Sequence, residues 1–323
     1  MHLHPTLGAL CEDDSPQRAA QVALHATAAD WRAGPAVRTL TAELAQFAQG
    51  GELDDFAMLS ALLTDHAGAS RFAADLVGRT CAALTDQPLG HVALRHFTDG
   101  TVSTLMLAGA GGTSLALIAI DGAGLARRTA PTTVSFAPCH CWEIVLAGTA
   151  DAALVYAPTG PRSGEPLAQT LRTLAPGDTL DRDSARQSLI VNSVENCLVS
   201  LRLQRRRDRE VAREFALADG ALLHQAAGSA RDSRLELAAA LLGRMGRSDA
   251  APLLAAMAEE SGTPALRWQA LRECLALDSR AGFVTLSGIA RRPADPLAMP
   301  AGALRAQLLE AHPELGMLEP CRS

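Results

Sequence analysis

Apolar positions recur at helical spacing through the first quarter of the chain. Val22, Leu24, Ala28 and Trp31 form one stripe behind Ser15-Pro16, a cap followed by a proline suited to the first helical turn. Gly34-Pro35 interrupts it. Val37, Leu40, Leu44 and Phe47 resume the i, i+3, i+4 pattern until Gly50-Gly51. Two further helices are predicted over residues 54–66 and 70–84, and Gln87-Pro88-Leu89-Gly90 reads as a linker.

The period then shortens to two. Val, Leu, Ile and Thr fill short runs at residues 91–97, 101–107, 115–120, 132–136, 141–146, 152–156, 167–174, 187–191 and 197–203. Asp99-Gly100 marks a hairpin. Gly109-Ala110-Gly111-Gly112 reads as a second hairpin loop, because a phosphate loop would need a following helix and a lysine. Strands at this spacing predict a β-sandwich or barrel.

Helical spacing returns near the end. Leu235, Ala238, Leu241, Leu242 and Met245 share one predicted face; Ala251, Leu254 and Met257 a second. Leu266, Ala270, Leu271, Cys274 and Leu275 share a third, and Phe283, Leu286 and Ile289 a fourth. Leu254-Ala255-Ala256-Met257-Ala258 aligns with Leu286-Ser287-Gly288-Ile289-Ala290 at an offset of 32 residues, a period that suits HEAT-like helix pairs. A last helix is predicted over 301–311. The expected class is α+β: an N-terminal helical region (1–88), an antiparallel β-barrel or jelly roll (89–206), and a helical, repeat-like C-terminal region (207–323).

Composition narrows the chemistry. The chain has no lysine, so all 29 basic residues are arginine. That excludes a Schiff-base lysine, a P-loop lysine and a Ser-Lys dyad. The net charge of −6 argues against general nucleic-acid binding. Aromatics are 3% of residues, so aliphatic side chains must fill the core. No run approaches the roughly 18 apolar residues of a spanning helix. Met1-His2-Leu3-His4-Pro5 has neither a basic nor an apolar leader segment, so no signal peptide and a cytoplasmic location are expected. Seven scattered cysteines without a CxxC pair then read as reduced thiols.

Two segments carry a family resemblance. Pro138-Cys139-His140-Cys141-Trp142-Glu143-Ile144-Val145-Leu146-Ala147-Gly148 is similar to the first cupin motif, in which His-x-His and Glu precede a V-L-x-G turn. Ala175-Pro176-Gly177-Asp178, followed by residues 187–192, resembles the second motif. Residues 197–203 look like the closing strand of thiol-dioxygenase-type cupins. The resemblance covers about residues 90–205 and implies a barrel that pairs as a homodimer. Enzymes of that family hold a metal with three His and one Glu. Here Cys139 and Cys141 replace the first two His, Glu143 follows too closely, and Arg186, Gln187 and Ser188 stand where the third His belongs.

Strand alternation places Cys139, Cys141 and Glu143 on one face and His140 with Trp142 on the other. Turned inward, two thiols and a carboxylate suit iron or zinc, with His96 (or His91) as a further ligand. The other reading makes both cysteines small buried apolar residues. A ligand-binding set of His140, Trp142, Glu143 and Arg186 is also expected. Arg202, Arg205, Arg206, Arg207, Arg209 and Arg213, mixed with Asp208, Glu210 and Glu214, read as a solvated linker or helix start. Arg267, Trp268 and Arg272 offer a helical contact surface, or Trp268 packs internally. The expected function is a non-catalytic binding or regulatory protein without a cofactor, contacting a protein or small molecule and neither membrane nor nucleic acid. The alternative is an iron- or zinc-dependent, oxygenase-type cupin.

Overall fold

The computed structural model describes residues 13–158, 165–207, 211–227, 229–260 and 262–318. The chain divides into two compact units, Met1–Arg206 with Phe215–Ala221 and Arg207–Glu214 with Leu222–Ser323. His2, His4, Cys11, Asp208, Arg209, Glu210 and Cys321 lie outside the described residues.

The first unit opens with helices α1 (Ser15–Ala33), α2 (Pro35–Phe47), α3 (Ala57–Thr64) and α4 (His66–Asp86), joined by a 3-10 turn at Leu53–Asp55. The breaks follow local chemistry. Pro35 cannot donate the N–H that would continue α1. Asp65 caps α4 by accepting from the Ala67 N–H at 3.0 Å. Of the predicted stripes, Leu24, Ala28 and Trp31 on α1 and Val37, Leu40, Leu44 and Phe47 on α2 are buried; Val22 is not, because it lies off that face, where Ala20 is buried instead.

Strands follow in the order β1 (His96–Thr98), β2 (Val102–Ala110), β3 (Thr113–Asp121), β4 (Thr133–Phe136), β5 (Cys139–Ala147), β6 (Ala150–Tyr156), β7 (Gln169–Leu174), β8 (Thr179–Asp183), β9 (Gln187–Val194) and β10 (Cys197–Arg206). A short helix, α5 (Gly122–Ala126), follows β3. One antiparallel sheet runs β1-β2-β3-β10-β5-β8; another runs β7-β6-β9. Gly148 turns β5 into β6 at φ +82°, where an added Cβ would lie 2.0 Å from the Cys197 carbonyl oxygen. The Pro176-Gly177-Asp178 turn is stitched to β5: Gly177 N–H donates to Val145 O, and Val145 N–H to Asp178 O, both at 2.9 Å.

The larger sheet has two buried faces. Leu115, Leu117, Trp142, Ile144, Leu201 and Leu203 pack with the helical residues Trp31, Leu40, Leu44, Phe47 and Leu59 in one core. On the opposite face Val145, Leu180 and Leu198 meet Ala150, Ala152, Leu174, Leu189 and Val191 of the smaller sheet. The helical region and the sheets therefore share a core, which explains why both fall in one unit.

The stretch read as a linker after Leu203 extends β10 through Arg206 and contains strand β11 (Val211–Ala216); β12 (Leu222–Ala227) follows. The second unit continues with α6 (Ala230–Arg244), α7 (Ala251–Glu259), α8 (Pro264–Leu277), α9 (Ser279–Ala290) and α10 (Ala298–Ala311). Leu254, Leu271, Phe283, Leu286 and Ile289 form its core. The predicted face of α6 is rotated. Ala239 is buried, whereas Ala238, Leu241 and Met245 are exposed. Small residues explain the difference: at Gly243 an added Cβ would lie 1.8 Å from a Glu273 carboxylate oxygen, so α6 approaches α8 where side chains are least bulky. Among the described residues no helix is long and apolar enough to cross a membrane.

Candidate functional site

Strand β5 turns Cys139, Cys141 and Glu143 into the space between the two sheets, and each is about 95% buried. Its neighbours set what they meet. Arg202 of β10 lies opposite Glu143, and Arg182 of β8 lies opposite Cys141. Arg202 grips the carboxylate with two bonds, Nε to Oε2 at 3.0 Å and Nη2 to Oε1 at 3.2 Å. Arg182 Nη2 donates to Oε2 at 3.0 Å and the Ser200 hydroxyl to Oε1 at 2.5 Å. A carboxylate without such partners would be costly here. Burial opposes its ionisation, but the charge and hydrogen bonds of Arg202, the Ser200 hydroxyl and the charge of Arg182 prevail. They hold the Glu143 carboxyl below the usual carboxylate range.

The thiols form a second pair beside this one. Cys139 Sγ and Cys141 Sγ are 3.7 Å apart, and the Ser184 hydroxyl donates to Cys141 Sγ at 3.3 Å. The hydrogen bond from Cys139 lowers the Cys141 thiol against the effect of burial, helped by Ser184, Arg202 and Arg182, to about 6. Cys139 moves the other way, raised by that same hydrogen bond, by burial and by the neighbouring Cys141 charge. The cluster thus sets a buried thiol of lowered pKa and a buried carboxylate beside two guanidinium groups. The Nε of Arg182 is buried and, among the described residues, has no hydrogen-bond partner.

The expected metal set does not converge. His96 is on β1, separated from β5 by β2, β3 and β10, and its Nδ1 donates to Leu94 O at 2.9 Å. His91 is exposed, and its backbone N–H donates to the Gln21 side chain. Both carboxylate oxygens of Glu143 are spent on Arg182, Arg202 and Ser200. Among the described residues no group of three or more His, Cys, Asp or Glu side chains is arranged to hold a metal ion. The donors therefore do not form the iron or zinc site expected from strand alternation: two thiols converge, but Glu143 is bonded to two guanidinium groups and His96 lies elsewhere in the sheet.

The expected ligand-binding set is also split. His140 and Trp142 lie on the opposite face of β5 from Glu143, stacked at 4.1 Å with 14° between their planes. Asp181 pairs with His140 Nε2. Trp142 continues into the helical core, edge-on to Phe47 at 5.5 Å. Arg186 is 84% exposed in the β8–β9 turn. The arginine run is not simply solvated. Arg202 is in the buried cluster, and Arg205 sits 4.3 Å over the Phe47 ring and donates to Gly51 O. In the second unit Arg267 is buried, donating to Asp295 through both Nη atoms and to Ala258 O through Nε. Trp268 packs on that unit's core, and only Arg272 of the trio is exposed.

Sequence reading missed Arg182, Ser184 and Ser200 and misread Arg202. The available signal was Glu143 itself: an inward-facing carboxylate on a buried strand demands buried cations on adjacent strands.

No family model matches this chain, and no curated protein matches it. Solved structures similar to it include a sugar phosphate isomerase from a cupin superfamily of Silicibacter pomeroyi DSS-3, 13% identical over 38% of this chain and 77% of that one, with a TM-score of 0.24. KdgF from Halomonas sp. is 18% identical over 36% of this chain and 87% of that one, with a TM-score of 0.24. HutD from Pseudomonas fluorescens SBW25 is 17% identical over 36% and 58%, with a TM-score of 0.24.

Proposed function

We propose that this chain is a non-catalytic binding or regulatory protein whose cupin-like barrel has exchanged a metal site for a buried ion-pair cluster. One observation carries the reading. Glu143, the carboxylate of the segment that resembles the first motif, has both oxygens committed to Arg202, Arg182 and Ser200. Two guanidinium groups where a cation would sit disfavour any divalent ion by direct repulsion. The cluster fixes the register of β5, β8 and β10, and the helical parts supply contact surfaces. The second unit, with Leu254 and Leu286 as corresponding fully buried positions, serves as a short array of HEAT-like pairs in this reading.

The alternative, an iron- or zinc-dependent enzyme, draws on the thiol separation of 3.7 Å, a spacing two thiolates adopt on one tetrahedral ion. Elemental analysis decides between them. Full-length protein, purified from cells supplied with iron, zinc and manganese, is expected to carry metal well below one equivalent, unchanged in Cys141→Ala. One equivalent of a single metal that is lost in Cys141→Ala would overturn the proposal.

A further inference from the structure

Within the first unit a groove of about 710 Å³ runs between α2 and β2. Its floor is apolar, with Val37 and Leu107 buried and Met106 half-buried. Its rim carries Arg32 at the end of α1, Arg38 on α2 and Arg95 just before β1, and no lining residue is acidic. All three arginines are exposed. Among the described residues none has a carboxylate within ion-pair distance, although the chain as a whole is acidic. Some other exposed arginines of the first unit do pair locally, Arg79 with Asp75 and Arg128 with Asp99, whereas Arg71, Arg127 and Arg172 have no carboxylate partner among the described residues.

The strand side of the groove is also unfinished. β1 pairs with β2 only from Ser103 to Leu105, and the contact ends where Met106 N–H donates to Arg95 O at 2.8 Å. β2 continues to Ala110. Beyond Met106, among the described residues, β3 is its sole strand neighbour. β2 bulges between Met106 and Ala108, and past the bulge the edge from Ala108 to Ala110 offers backbone donors and acceptors over roughly 10 Å, the length of about three extended residues.

We infer that this groove binds an extended acidic peptide segment of a partner protein, added antiparallel or parallel to β2 in the position β1 vacates, with its carboxylates on Arg32, Arg38 and Arg95. The inference rests on the reading of the chain as a binding protein and names its partner surface. Main-chain pairing with the free edge supplies affinity, and the three guanidinium groups select acidic side chains. A lysine-rich segment would meet three like charges and be rejected.

The test is fluorescence anisotropy with full-length protein and a labelled octapeptide of alternating glutamate and valine. The expected result is saturable binding, at least tenfold weaker between 50 and 300 mM salt as on the order expected for several charge contacts, and at least tenfold weaker in the Arg38→Ala/Arg95→Ala variant. Because both arginines are exposed, the variant keeps its fold, checked by its thermal transition. Arg38→Glu/Arg95→Glu is expected to switch preference to the lysine-valine peptide. The glutamate peptide N-methylated at alternate residues, in either phase, is expected to lose binding in the phase that faces β2. Absence of saturable binding, or equal binding to the arginine variants or to both N-methylated peptides, would overturn the inference. The metal analysis above is independent of that outcome, so a failed groove leaves the reading of the barrel intact.

Discussion

Arg202 holds both carboxylate oxygens of Glu143 from the neighbouring strand, in a fork geometry that fixes β10 against β5 in the interior of the sheets. A pair of this kind contributes less net stability than its charge suggests, but losing one member is severe, because the other remains buried. Glu143→Gln leaves Arg182 and Arg202 without a counter-charge. It is expected to lower the stability of the first unit by about 3–5 kcal/mol in urea unfolding. Replacing all three with residues of similar size and no charge, as Glu143→Gln/Arg182→Met/Arg202→Met, is expected to recover most of that loss.

The depressed Glu143 carboxyl has a pH signature. Its folded-state pKa lies below its unfolded value, so its contribution is complete above the ordinary carboxylate pKa of about 4.3. It disappears as pH falls through the depressed value. The wild-type protein is expected to lose stability between about pH 5 and pH 2 more steeply than Glu143→Gln. Urea midpoints across that range measure the difference; parallel acid limbs would contradict the assignment.

Cys141 is expected to ionise before the other thiols. Thiolate absorbance at 240 nm should rise in a step near pH 6, absent in Cys141→Ser and retained in Cys81→Ser. In Cys139→Ser the step should persist, because a hydroxyl at that position can still donate to the sulfur. No early step in the wild-type titration would remove the thiolate from the cluster.

In the second unit, Arg267→Ala breaks a buried bidentate pair with Asp295 and removes a donor to Ala258 O. It is expected to cost about 3–5 kcal/mol, while Arg272→Ala, on the exposed side of the same helix, changes stability by about 0.5 kcal/mol or less. Chemical denaturation of the two variants side by side separates a structural Arg267 from one that merely contacts a partner.

Gly148→Ala is expected to destabilise the β5–β6 turn by about 2 kcal/mol or more. It combines a left-handed backbone with a Cβ driven into the Cys197 carbonyl. Gly246→Ala, also at positive φ but with open space around the added methyl, should cost about 1 kcal/mol.

The helices of the first unit were legible because their stripes, prolines and glycine breaks agree. Alternation also gave the faces of β5 correctly, with Cys139, Cys141 and Glu143 together. It gave no lateral position in the sheet, which is why His96 was grouped with residues from which three intervening strands separate it. β8 escaped because Thr179-Leu180-Asp181-Arg182-Asp183 buries a charged residue where an apolar one signals a strand. Arg202 was misread for a related reason: a run of arginines looks solvated until the strand crossing it is known to present Glu143. The rotated face of α6 reflects close helix approach at Gly243, which a count of apolar residues does not weigh.

The six-stranded sheet is sealed on both sides, Trp142 and Leu203 against helices and Val145 and Leu198 against the smaller sheet. Neither layer is thus an optional attachment. A truncation that begins at the first strand would bare a broad aliphatic plane carrying the Trp142 indole, and such a fragment should clump or bind detergent instead of standing alone.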